Sequence, residues 1–258
     1  MEFTVLGVQG RMGPTSDAVS QYDGTPLEGQ VTIGSGSSFP DERGYQQWTV
    51  PVTGTYRLEA VGAAGGSYEG NENGGGGAMM KGDFAPTAGD VLVIVVGQLP
   101  GNGGSEGHRT TQCGNLGGGG TFIALSNGDP LLVAGAGSGS HGGSNGHGGV
   151  IEEDASSSFS YAGTDGQGGT STQTGAGHYS DCDTLSCAGT SYYSEWPQSF
   201  MDGGAIGGYY SGTDSYGDFG GGAGGHSGGG MSGGGGYSGG GSDGEQPFFP
   251  QAASIVRH

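Results

Sequence analysis

The chain has 258 residues, 67 of them glycine and only 31% hydrophobic, and 25 acidic residues against 6 Lys plus Arg give it a net charge of −19. That length suits one β domain with decoration, and the small apolar share means that much of the chain must order without contributing side chains to a core. The charge argues against nucleic acid and anionic membrane as partners, because both require a basic face, and leaves a basic protein or a cation open.

In chain order, residues 2–8 alternate weakly, as an edge strand does, until Gly10-Arg11-Met12-Gly13-Pro14 interrupts them. Gly29–Gly34 is the next strand candidate and Ser35–Gly44 a loop. From Gln46, Trp48 and Val50 alternate with Thr49. After a turn at Pro51–Thr55, Tyr56, Leu58 and Ala60 alternate with Arg57 and Glu59, which predicts a hairpin with Trp48 and Tyr56 as cross-strand core aromatics. Met79–Phe84, a turn at Ala85–Asp90 and Val91–Val96 predict a second hairpin. Its last strand is apolar throughout and is expected to be covered on both faces. Thr121–Leu125, the Asn127-Gly128-Asp129 turn and Pro130–Ala134 predict a third. No helical period separates these runs. The expected fold is therefore all-β, an antiparallel sandwich in a single glycine-rich domain over 1–258 with its hairpins in roughly 2–135.

Glycine tracts occupy 62–77, 101–120, 135–149 and 203–244. Collagen is excluded, since its helix needs glycine at every third position and these tracts lack that period. A three-residue-per-turn glycine helix points its peptide groups outward in three directions, so parallel helices of this kind can bond to one another on all sides. Only glycine allows that approach, and each buried amide must find a partner or cost about 1–3 kcal/mol. Gly119 and Gly234 are expected to be positions without room for a β-carbon, and the competing reading is a floppy glycine tail over 203–244. The glycine-free stretch 247–258 is expected to dock as a terminal strand or to join a neighbouring chain, with Pro247 and Pro250 restricting it to an edge.

Trp48-Thr49-Val50-Pro51-Val52-Thr53-Gly54-Thr55-Tyr56 followed by Ala60-Val61-Gly62-Ala63-Ala64-Gly65-Gly66 resembles the start of the glycine-rich extracellular domain of the anaplastic lymphoma kinase and leukocyte tyrosine kinase receptors. Gly89–Gln98, Gly117–Phe122 and Leu131–Gly137 follow in that family's order, so the resemblance covers residues 45–241. It implies a tumour-necrosis-factor-like (jelly-roll) sandwich carrying bundled polyglycine-II-type helices, and an extracellular location. It does not imply a receptor, because a kinase domain and a membrane span are not found in these residues.

Cys182 and Cys187 are spaced for a small disulfide loop that leaves Cys113 over. Zinc is the competing reading, weakened by the lack of a second closely spaced pair. The six histidines stand at irregular spacing in loops, as exposed or capping residues do, and Gly-x-Ser-x-Gly matches arise from composition alone. Met1–Gly7 has neither a basic start nor a long apolar core, so no secretory signal is expected in it. No catalytic residue, metal or cofactor is expected, and the chain is read as not an enzyme. The expected function is an extracellular structural or assembly protein, a scaffold, fibre or biomineral matrix component that associates with itself as a homo-oligomer or filament, or with another extracellular protein. The alternative is a protein-ligand-binding or adhesin module. Twelve tyrosines, with pairs at Tyr192-Tyr193 and Tyr209-Tyr210, suit either, since Tyr gives contact area at low entropy cost.

Overall fold

The period-two runs form strands, and each buries the face that its alternation marks. A computed structural model describes residues 1–67, 73–100, 116–140, 145–149, 163–169, 174–181, 193–202, 204–210, 215–223, 233–240 and 253–257. Its strands are β1 (Glu2–Phe3), β2 (Val31–Ile33), β3 (Gln46–Thr49), β4 (Tyr56–Val61), β5 (Met79–Phe84), β6 (Val91–Val95), β7 (Thr121–Leu125), β8 (Pro130–Ala134), β9 (Tyr193–Glu195), β10 (Tyr209–Tyr210), β11 (Ser215–Tyr216) and β12 (Ala253–Arg257). One short 3-10 helix, Ser16–Tyr22, is the helical element among the described residues.

The strands make a four-stranded sheet in the order β1-β12-β4-β5, a five-stranded sheet β2-β3-β6-β7-β8 and a small sheet β11-β10-β9. Every strand pair is antiparallel. The fold is thus an antiparallel all-β sandwich. Trp48, Leu92, Ile94, Ile123 and Leu132 of the five-stranded sheet meet Phe3, Tyr56, Leu58 and Ala60 of the four-stranded sheet in one buried cluster. At about 1.5–3 kcal/mol for each large side chain taken out of water, this cluster supplies most of the apolar stabilisation that the glycines cannot.

The five-stranded sheet is buried on its other face as well. There Val93 and Val95 of β6 and Phe122 and Ala124 of β7 pack with Tyr45, Phe200, Ala205 and Phe219. A strand apolar on both sides, as Val91–Val96 is, finds cover on both sides.

Two of the three expected hairpins are not hairpins. β3 pairs with β2 and β6, whereas β4 pairs with β12 and β5, so the chain crosses from one sheet to the other between Thr49 and Tyr56. It crosses again between β5 and β6. The two crossings run side by side, with Val50 N donating to Asp90 O at 2.8 Å, Gly89 N to Val50 O at 2.9 Å and Ala88 N to Thr53 Oγ1 at 2.9 Å. Alternation dictates which side chains point inward and says nothing of which strand lies alongside, so a hairpin and an arch between sheets share one sequence pattern. The third hairpin, β7 to β8, forms around Asn127-Gly128-Asp129 with a bulge between Ile123 and Ala124.

β12 docks in its own chain as a terminal strand, but not at an edge. It lies inside its sheet, pairing Ile255 with Leu58 and Ala253 with Ala60 on one side and β1 on the other. Pro247 and Pro250 precede the strand, which therefore keeps its own amides for both neighbours.

Candidate functional site

The glycine segments lie against the ends of the sheets and form a hydrogen-bonded lattice. Four successive amides of the segment 117–120 leave in different directions: Gly117 N donates to Ala223 O (3.1 Å), Gly118 N to Gly137 O (3.0 Å), Gly119 N to Gln98 O (3.1 Å) and Gly120 N to Gly220 O (2.9 Å). Its carbonyls are used too, Leu116 O by Gly66 N, Gly118 O by Gly235 N and Gly119 O by Ala63 N. A flat β-strand has bonding partners on two sides only, whereas a chain with three residues per turn presents donors all round, as here. The pattern continues outward, with Ala136 N donating to Gly235 O, Gly65 N to Gly75 O, Gly75 N to Ser138 O and Gly175 N to Gly240 O. Parts of all four glycine tracts thus enter one bonded body, and a tail over 203–244 hanging free of the rest is ruled out for 219–223 and 233–240.

Gly119 and Gly234 sit in the middle of it. A β-carbon on Gly119 would lie 1.8 Å from Phe219 O, and one on Gly234 would lie 2.7–2.8 Å from the carbonyl and β-carbon of Ala136. The obstacle at Gly119 is backbone that is itself hydrogen-bonded, with Phe219 O accepting from Gln98 N, so it cannot step aside cheaply.

Between this lattice and the outer face of the five-stranded sheet lies an aromatic layer centred on Phe200. Its ring stacks near-parallel on Tyr45 (5.0 Å between centroids, 15°), Phe122 (5.0 Å, 14°) and His178 (4.9 Å, 19°). Tyr45 donates its hydroxyl to Phe200 O at 2.6 Å, and burial, with Glu42 nearby, pushes its phenol well above the ordinary value. His178 is fully buried. Its Nε2 lies 2.9 Å from Gly128 O, which makes it the donor of a neutral ring, and its Nδ1 is buried without a hydrogen-bond partner. Burial pushes the imidazole below its ordinary value of 6.5, the Gly128 bond opposing.

Asp218 is fully buried, neither carboxylate oxygen has a hydrogen-bond partner, and burial alone pushes its carboxyl well above 3.8. The side-chain amide of Gln98 is likewise buried and unpartnered. Glu42 is raised by burial and by Asp41. In Asp218, Glu42, Tyr45 and His178 alike, burial disfavours the charged form. Arg11 donates Nε–H to Gly207 O at 3.0 Å and lies over Tyr209 (6.0 Å) and Tyr216 (5.8 Å), whose rings stack 4.5 Å apart, so Tyr209 is held within the fold.

Trp48 and Tyr56 are buried, at 0% and 1% exposure, with ring centroids 5.9 Å apart. They belong to opposite sheets, so they meet across the sandwich and not as cross-strand neighbours. Cys113, Cys182 and Cys187 lie outside the described residues. Among the described residues no three His, Cys, Asp or Glu side chains come together as a metal site would need, and no helix is long and apolar enough to cross a membrane. His178 is buried, not exposed or capping. Neither His178 nor Asp218 has a periodic signal around it; a titratable residue between a glycine and an aromatic, as in Gly177-His178-Tyr179 and Gly217-Asp218-Phe219, is the mark that both carry.

No family model matches the chain. Over 97 residues, 37% of its length, it is 36% identical to the leukocyte tyrosine kinase receptor of Mus musculus, and it spans about a tenth of that protein, 10% of its length. Part of this chain is therefore similar in sequence to a small part of a receptor.

Proposed function

We propose that this chain is a non-enzymatic extracellular module that binds a protein partner, presenting its acidic surface on a framework made rigid by the glycine lattice. The observation that carries this reading is the closure of the lattice within one chain: the amides and carbonyls at its centre find partners in the same molecule, so rigidity does not depend on assembly. The partial similarity to a receptor agrees with it. With a net charge of −19, the partner favoured by long-range attraction is basic. The displaced titratable groups support a non-catalytic role, because His178 and Asp218 are each buried in the packing and form no nucleophile–base pair with one another.

A structural or assembly role, as a scaffold, fibre or biomineral matrix component, is the second reading, and one feature favours it. On the four-stranded sheet Arg57 forms a bidentate pair with Asp83 at 2.8 Å, and Glu59 stands opposite Lys81 in register, giving an otherwise acidic molecule a charge-balanced patch for a second copy. Light scattering across a wide concentration range separates the two. A monomer throughout, with saturable and salt-sensitive binding of a basic protein ligand, supports the module; regular assemblies of the pure chain would replace it with the scaffold.

A further inference from the structure

His178 stands where three parts of the molecule join. Its ring bonds through Nε2 to Gly128 O at the tip of the β7–β8 hairpin, stacks on Phe200 and lies tilted 6.1 Å from Phe122 against the five-stranded sheet, and lies 5.9 Å from the ring of Tyr237 in the glycine segment 233–240. Its backbone makes two further ties, His178 N donating to Tyr237 O at 2.8 Å and Met201 N donating to His178 O at 3.0 Å. We propose that His178 is an acid-sensitive latch: as the neutral ring it fastens the segments 174–181, 199–202 and 233–240 to the back of the five-stranded sheet, and on protonation it releases them together.

The chemistry of the site favours release over accommodation of the charge. A second ring proton would sit on Nδ1, which is fully buried and faces no acceptor. The carboxylates of the surrounding elements are engaged with other partners and none acts on the ring. Asp129, beside Gly128, is bonded to Asn127 Nδ2 at 2.7 Å. Asp181 accepts from Ser199 N at 2.6 Å. Tyr179, Tyr237 and Tyr45 are phenols, and neither Asp165 nor Asp202 acts on the ring, whose displacement comes from burial and the Gly128 carbonyl alone. Because the folded ring sits below its ordinary value, the latch is at full strength above about pH 6.5 and weakens as pH falls below it, where the opened form takes up the proton that the closed form refuses. This inference concerns a switch inside the fold and stands whether the chain acts as module or scaffold.

The test is amide exchange of the intact chain, followed by NMR at about pH 7.5 and about pH 5.5 and corrected for intrinsic rates. The amides of His178, Phe200 and Met201 should lose protection by about tenfold or more on acidification, while those of Trp48 and Leu92 in β3 and β6 hold theirs. His178→Phe keeps a ring in the stack and removes the titration, so its layer should be equally protected at both pH values. Acid loosening that persists in His178→Phe would overturn the proposal. Should that variant not fold, the imidazole titration of the unmodified chain decides: protonation below the ordinary value in step with opening supports the latch, and protonation with the layer still protected overturns it.

Discussion

Trp48 and Tyr56 meet edge to face across the sandwich, with ring centroids 5.9 Å apart and planes at 74°, although a single short crossing joins their strands. Tyr56 also donates its hydroxyl to Val52 O at 2.6 Å, pinning the crossing that separates the two rings. The pair therefore ties together the two sheets and the arch between them.

Truncating Trp48 to Ala should cost about 3–5 kcal/mol of unfolding free energy, the range for removing a large buried aromatic. Chemical denaturation measures this directly. A loss below about 1 kcal/mol would mean that the inner face of β3 has been misidentified.

Glycine substitutions should follow the local space. Gly119→Ala places a β-carbon 1.8 Å from a hydrogen-bonded carbonyl, whereas at Gly236 the nearest atom stands at 3.1 Å. Gly119→Ala should therefore destabilise strongly and Gly236→Ala only mildly, by melting temperature under identical conditions. Equal effects, or none, would deny that the lattice is close-packed at Gly119.

What the sequence made legible was burial, and what it concealed was adjacency. The alternation around Trp48, Tyr56 and Leu58 named the inward side chains correctly, and the unbroken apolar run Val91–Val96 foretold a strand covered twice. The same alternation suggested hairpins where the chain crosses between sheets, since inward direction is a property of one strand and pairing a property of two. Phe200, His178 and Asp218 stand in stretches without any period. Their burial follows from lattice segments folding back over the five-stranded sheet, a long-range event with no local signature.

Asp218 should lower stability as pH rises from about 3.8 toward its folded value. Its folded carboxyl lies well above 3.8, so its contribution is fully present below that value and declines as pH rises toward the folded value, by at most about 1.4 kcal/mol per pH unit. Asp218→Asn removes that slope. With the opposite slope of His178 common to both, the unmodified chain should lose more stability, or gain less, than Asp218→Asn on going from about pH 5 to about pH 8, and identical pH dependences would show that Asp218 is ionised or partnered in the fold.

The central claim is that glycine segments from four parts of the chain form one rigid body through their own peptide groups. Amide exchange at neutral pH tests it most directly, residue by residue over Gly117–Gly120 and Gly233–Gly240. Gly118, Gly119, Gly120, Gly235 and Gly240 donate to carbonyls within the chain and should exchange far more slowly than unstructured glycine. Exchange at the unprotected rate across both segments, with β3, β6 and β7 still protected, would leave the sandwich standing and contradict the lattice.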